Sequence, residues 1–323
     1  MCTAICYDAK DHYFGRNLDY EYAIPCNIII TPKNYPFRFR NGSFMQQHYA
    51  FIGMGMVEEG YPLYYDATNE FGLSIAGLNF PGNATYLPAD SRKNNVAPFE
   101  LIPWLLGTCK SVAQATAELE NTNISSIAFS ETLPLSQLHW IISDQSTSIT
   151  VEPLKEGLKI YENPVGVLTN NPPFDYHMHH IVDYLNLTAG EAKNRFSNQL
   201  TLNPYSRGMG AIGLPGDLSS ASRFVRAAFT KLNSTPGNNE AESVTQFFHI
   251  LDTVKQTDGC AMVGGLYEKT LYSSCCNMNS GVYYYCTYEN RSITGIDMHQ
   301  VDLEASNLFC YPVKRTQEIR MEN

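Results

Sequence analysis

The apolar positions of the chain switch between the alternation of strands and the three-to-four spacing of helices. Thr3-Ala4-Ile5-Cys6-Tyr7 reads as a strand, Asp8-Ala9-Lys10-Asp11 as a turn, and residues 13–17 as the returning strand of a hairpin. Further strands are expected over residues 27–31, 50–56, 64–68 and 73–79, with turn-forming Asn69-Glu70-Phe71-Gly72 joining the last two. Two helices follow, a broadly apolar one over 98–109 and an Ala-rich one over 111–119 that opens on a serine. A second block of short strands is expected over 139–143, 148–152, 158–161 and 165–169. Ser219-Ser220 can cap a helix carrying Phe224, Ala228 and Leu232 on one face, and Val244, Phe247, Phe248 and Leu251 mark another. Aromatic strands at 281–288 and 292–297 come last.

Strands, helices, strands, helices, strands: that order predicts an α+β fold in which two antiparallel sheets stack between helical layers. With no long linker, repeat or low-complexity tract, the expectation is a single catalytic domain over residues 2–323, Met1 being removed. An apolar content of 44% over 323 residues supplies a substantial core. The net charge of −10 argues against a nucleic-acid or membrane-surface binder, neither of which is expected as a partner. No secretory signal and no apolar run of ~20 residues is present, so a soluble cytoplasmic protein is expected.

The nine cysteines include no C-x-x-C pair, and Cys275-Cys276 are adjacent, a poor arrangement for a metal site or an ordinary disulfide. Cys6, Cys26, Cys109, Cys260, Cys286 and Cys310 are expected to be reduced core thiols. His177, His179 and His180 invite a zinc reading, but a polar helix start accounts for them, and no metal is expected.

Chemistry enters at the N-terminus. Once Met1 is removed, which the small side chain at position 2 favours, Cys2 carries a thiol and a free α-amine on one carbon. That amine titrates near ~8 and can act as a general base for the thiol at neutral pH. The predicted hairpin lays Arg16 and Asp19 beside residue 2, where Arg16 would favour the thiolate and Asp19 the ammonium. The plainer alternative is a cysteine that packs in a strand after the start codon.

The segments Met1-Cys2-Thr3 and Phe14-Gly15-Arg16-Asn17-Leu18-Asp19 resemble the choloylglycine hydrolase family, N-terminal-nucleophile hydrolases that include bile salt hydrolases and penicillin V acylases. The resemblance continues through Asn69-Glu70-Phe71-Gly72-Leu73, Ala76-Gly77-Leu78-Asn79-Phe80-Pro81 and Leu138-His139-Trp140. It resumes at Gly166-Val167-Leu168-Thr169-Asn170-Asn171-Pro172, Gly213-Leu214-Pro215-Gly216-Asp217 and Ala221-Ser222-Arg223-Phe224. Tyr283-Tyr284-Tyr285 and Tyr288-Glu289-Asn290 complete it. It implies a four-layer αββα sandwich, no cofactor, a homotetramer, and hydrolysis of the amide of glycine- or taurine-conjugated bile salts. It also implies oxyanion donors from the backbone N–H at Asn79 and the side-chain amide of Asn170, with Arg223 as a further active-site residue. On their own residues, the two asparagines read equally as turn formers and Arg223 as a helix-surface charge.

Asn at position 79, where penicillin V acylases tend to carry Tyr, favours bile salts, with penicillin V acylase as the alternative. Leu18, Tyr65, Phe129, Leu133 and Leu138 match positions that line the acyl pocket, although each could be ordinary packing. Arg207, in Tyr205-Ser206-Arg207-Gly208, resembles the form associated with taurine preference. A solvated loop arginine is the alternative, and Gly208-Met209-Gly210 fits the other pattern one frame later. A catalytically silent bile-salt-binding protein and a thiol redox protein are the competing classes. The intact nucleophile and the missing resolving cysteine argue against them.

Overall fold

In the computed structural model, which describes residues 1–323, two large antiparallel sheets lie face to face. The first is built on the N-terminal hairpin, Cys2–Asp8 with His12–Tyr20. Val167–Leu168 flanks the hairpin on one side, and Leu266–Asn277, Val282–Thr287 and Thr294–Asp297 continue the sheet on the other. The second sheet runs Gly157–Glu162, Ser148–Leu154, Leu138–Ser143, Ser74–Asn79, Tyr61–Asn69, Phe51–Glu58, Asn27–Thr31 and Phe309–Pro312, in that spatial order.

The near-continuous apolar runs of the second sheet follow from burial on both faces. Ile28, Ile30, Ile52, Met54, Ala76, Leu78 and Ile141 pack toward the first sheet. Their alternates Ile29, Phe51, Ile75, Trp140 and Ile142 pack with Leu101, Leu105, Ala115 and Leu119 of the helices Leu101–Thr108 and Val112–Glu120. Each such side chain contributes ~1.5–3 kcal/mol when fully buried. The outer face of the first sheet is covered in turn by Ser220–Asn233 and Glu240–Asp252 through Phe224, Ala227, Phe247 and Leu251. The result is the expected αββα sandwich. No helix is long and apolar enough to cross a membrane.

Several sequence expectations are corrected. The strand expected over 165–169 shrinks to Val167–Leu168 and pairs with Cys2–Asp8, so it leaves the second sheet for the first. Leu232 is 61% exposed. Positions 224, 228 and 232 drift by about 80° over eight residues, which turns the last one off the buried face. Cys260 and Cys310 are exposed, not core thiols, and Cys6 and Cys26 are only half-buried; all nine cysteines are free. The His177 segment is a helix, Phe174–His180, but His177 itself is buried. The strand Leu266–Asn277 was not foreseen. Its Glu268, Thr270, Ser273, Ser274 and Asn277 look like surface residues, yet all are buried.

Candidate active site

Antiparallel register builds the site. Cys2 pairs with Leu18 and Ala4 with Arg16, so Cys2, Leu18 and Arg16 project from one face of the hairpin, into the layer between the sheets. Asp19, one residue on, projects from the other face, toward the helices. The two charges thereby reach residue 2 from opposite sides, and both are buried.

On the inter-sheet side, Arg16 Nη1 donates to the Tyr65 carbonyl at 3.1 Å and to the Gly77 carbonyl, and the Arg16 N–H donates to Ser274 Oγ at 3.2 Å. Burial works to lower the Arg16 pKa, but Cys2, Tyr272, Asp66 and Asp19 around it carry it above the ordinary arginine value. On the helix side, Asp19 Oδ1 accepts from Thr270 Oγ1 at 2.5 Å, while its Oδ2 is buried without a partner. Burial raises the Asp19 pKa against the opposing pull of Arg223, the N-terminal ammonium and the Thr270 bond.

Arg223 is the hub of the helix side. Ser219 caps the helix by accepting the Ser222 N–H, and one turn in, Arg223 is wholly buried. Its Nη1 donates to the Cys2 carbonyl at 2.5 Å and to Thr3 Oγ1 at 2.6 Å, and its Nη2 to Asn170 Oδ1 at 2.8 Å. Asn170 Oδ1 also accepts the Cys2 N–H at 2.7 Å, and Asn170 Nδ2 donates to the Asn79 carbonyl at 2.7 Å. A carboxamide nitrogen has two hydrogens, so one remains for a further acceptor.

Asn79 presents its own donor for a reason of register. Phe80 N–H bonds the Gln137 carbonyl, and bonding alternates along an antiparallel pair. Asn79, one residue earlier, therefore directs its N–H and C=O away from strand Leu138–Ser143. Its carbonyl meets Asn170 on that side, and the N–H points the same way.

Six residues, Cys2, Arg16, Asp19, Asn79, Asn170 and Arg223, thus converge. Among the pocket candidates, Leu18 is buried opposite Cys2, and Tyr65 holds Arg16 through its carbonyl while its hydroxyl donates to the Pro25 carbonyl at 3.0 Å. Leu138 lies opposite Asn79. Phe129 packs instead with Tyr61 and Phe99 under the Arg40 guanidinium, and the half-buried Leu133 donates its N–H to Ser130 Oγ. Arg207 is exposed, and its side chain makes no hydrogen bond to this cluster.

Sequence reasoning missed the groups that hold Asn170. His139 Nε2 bonds the Thr169 carbonyl at 3.0 Å, and its Nδ1 the Glu152 carboxylate at 2.9 Å. His177 Nε2 bonds the Asn170 carbonyl at 2.9 Å, and burial pushes the His177 pKa down to about 4. Ser220 Oγ accepts the Asn170 N–H at 2.8 Å. The Met1 ammonium pairs with buried Glu268 and donates to the Asp19 carbonyl at 3.0 Å. The available signal was charge inside apolar runs, as at His139 beside Trp140 and at Asp66 between Tyr65 and Ala67. No three His, Cys, Asp or Glu side chains converge as metal ligands would.

The sheet sandwich thus places a cysteine at the start of its first strand, between buried arginines and amide groups, a setting suited to amide hydrolysis. A family model for linear amide C–N hydrolases of the choloylglycine hydrolase family matches residues 2–311, and the chain belongs to that family. It is 53% identical over 315 residues to a bile salt hydrolase/transferase of Lactiplantibacillus plantarum, covering 97% of each chain. A bile salt hydrolase/transferase of Clostridium perfringens is 37% identical over the full length of both chains. The structure of a mutant conjugated bile acid hydrolase from Clostridium perfringens superposes with a TM-score of 0.92 at 36% identity, covering 100% of both chains. That of penicillin V acylase from Agrobacterium tumefaciens gives 0.75 at 17% identity, covering 99% of this chain and 100% of the other, a likeness of fold.

Proposed function

We propose that the chain hydrolyses the amide bond of glycine- or taurine-conjugated bile salts, with Cys2, freed by loss of Met1, as both nucleophile and base. The observation that carries this reading is the buried, unpartnered Asp19 Oδ2 beside the N-terminus, an acceptor for a Cys2 ammonium. The Cys2 sulfur attacks the amide carbonyl as the α-amine takes its proton, and Asp19 stabilises the ammonium formed. The oxyanion is met by the Asn79 N–H and the remaining Asn170 amide hydrogen. The ammonium then gives its proton to the leaving nitrogen, and water hydrolyses the thioester. Arg16 favours the thiolate from the sheet side, and Arg223 locks the Cys2 carbonyl and Asn170 in register. These steps call on no cofactor.

The names of the relatives at 53% and 37% identity support bile conjugates as substrates. Leu18, Tyr65 and Leu138 lie against the cluster and suit an apolar acyl group, with Phe129 and Leu133 on the loop beyond. Nine free thiols suit a reducing cytoplasm. The segment 182–212 carries exposed Val182, Leu185, Phe196, Leu200, Leu202, Tyr205 and Ile212, a surface suited to further copies in a homotetramer.

The test is a side-by-side assay of glycocholate, taurocholate and penicillin V with protein shown by intact mass to lack Met1. Bile conjugates are expected to exceed penicillin V by a wide margin, and Cys2→Ala to abolish turnover with the fold intact. Full activity in protein retaining Met1, or in Cys2→Ala, would overturn the mechanism; the reverse substrate order would overturn the substrate.

A further inference from the structure

We propose that Asp66 is a positioning residue for this chemistry: the buried counter-charge that balances Arg16 and tempers its pull on the Cys2 thiolate. The inference rests on Cys2 being the nucleophile. Arg16 hydrogen-bonds only to neutral acceptors, the carbonyls of Tyr65, Gly77 and Asn17. A wholly buried guanidinium needs opposite charge nearby. Within the inter-sheet layer, Asp66 supplies it.

The hydroxyls around Asp66 favour its ionised form. Tyr272 donates to Oδ2 at 2.6 Å, Tyr283 to Oδ1 at 2.6 Å, and Ser274 to Oδ1 at 3.3 Å. Burial raises the Asp66 pKa, and Arg16 with these three donors pulls it back toward the ionised, acceptor-only form. Ser274 also accepts the Arg16 N–H, so a hydrogen-bonded chain runs from the Arg16 backbone through Ser274 to Asp66.

Each element around Arg16 presents a charged or titratable group: Cys2 from the first strand, Asp19 from its own, Tyr272 from Leu266–Asn277 and Asp66 from Tyr61–Asn69. Asp66 is faced besides by the thiols of Cys26 and Cys276, both pushed up to about 12 by burial and therefore neutral. Cys2 is faced by Arg16 on the sheet side and by Arg223 and Asp19 on the helix side. Tyr20, Glu268 and the processed α-amine complete its charged surroundings. Of these, only Asp66 and Cys2 can take Arg16's charge from within the inter-sheet layer. When one is neutralised, the other must carry more of it.

The prediction has a sign. Asp66→Asn leaves Arg16 short of one negative charge, so the Cys2 thiolate becomes the favoured partner. In Met1-free protein, the pH midpoint for alkylation of Cys2 by iodoacetamide, followed by peptide mass, should fall by about 1 unit. The acidic limb of kcat/KM should move with it. Tyr272→Phe removes a donor to the ionised carboxylate, so Asp66 is more readily protonated and the midpoint should shift the same way by less. That variant keeps the test in hand if Asp66→Asn does not fold. An unchanged or raised midpoint in the folded variants, with only thermal stability lowered, would overturn the proposal and leave Asp66 a structural residue. Wild-type protein whose Cys2 resists alkylation at every pH would instead remove the nucleophile reading beneath it.

Discussion

Two stretches of this chain, barely a dozen residues apart, are organised in opposite ways. From Thr169 to Phe174 nearly every polar group is committed. His139, His177, Ser220, Arg223 and Glu152 hold the backbone and the Asn170 amide, and Asn171 Nδ2 donates to the Pro81 carbonyl at 2.6 Å. From Leu185 to Arg207 the chain forms no helix or strand, and Phe196 and Tyr205 are 82% and 84% exposed. Apart from the Thr188 N–H bond to the Gly210 carbonyl at 3.0 Å, its hydrogen bonds are local, such as those from Asn194 Nδ2 to the Ser197 and Leu200 carbonyls. The first stretch holds an amide from several sides; the second displays apolar surface.

Substitutions can break that contrast, beginning with the largest effect. Asn170→Ala should cut kcat by ~10²–10³ by removing an oxyanion donor, with KM changing far less. A fall confined to KM in steady-state assays would show that Asn170 only binds substrate. Next is the clamp itself. His177 is neutral when folded, with a pKa of about 4 against its ordinary 6.5. Below pH 6.5 the unfolded chain binds the proton first, so this contribution to stability is present above 6.5 and disappears as pH falls toward 4. The linkage amounts to at most about 3 kcal/mol. His177→Gln should therefore flatten the loss of stability between pH 6.5 and 4, as read by urea melts across that window. An equally steep loss in the variant would place the acid sensitivity elsewhere.

On the exposed stretch, Phe196→Ser with Leu200→Ser should reduce the assembled mass seen by light scattering while leaving the Cys2 alkylation rate unchanged. Retention of the full mass would leave the exposed stretch without an associative role. The smallest effect is expected at Arg207. Its guanidinium can offer several donors to a sulfonate, a charge-assisted contact of ~1.5–3 kcal/mol. Taurocholate should be hydrolysed faster than glycocholate, and Arg207→Gly should narrow or reverse that ratio. An unchanged ratio would return Arg207 to the solvated surface.

The readable parts of the sequence were those whose logic is local. The N-terminal hairpin, with Arg16 and Asp19 brought to Cys2, follows from a turn and two short apolar runs. The helix caps at Ser111 and Ser219 were equally legible. The acyl-pocket positions and the role of Arg223 came from family resemblance alone, because nothing in an Ala-Ser-Arg-Phe helix announces total burial. Most opaque was Leu266–Asn277. Its polar side chains find partners more than two hundred residues away, as Thr270 does at Asp19 and Tyr272 at Asp66. Polarity satisfied at such range looks like surface in one dimension. For the same reason Glu268 and Asp66 went unnoticed.

The ion pair between Met1 and Glu268 also bears on the life history of the protein. In a folded chain that retains Met1, the terminal ammonium is tied to a buried carboxylate, just ahead of a strand paired along its whole length with its neighbour. An aminopeptidase needs a loose, extended end. Trimming is therefore expected on the ribosome-bound nascent chain, before the last strands of the first sheet are made. Folded precursor mixed with methionine aminopeptidase should mature far more slowly than the same chain treated while unfolded.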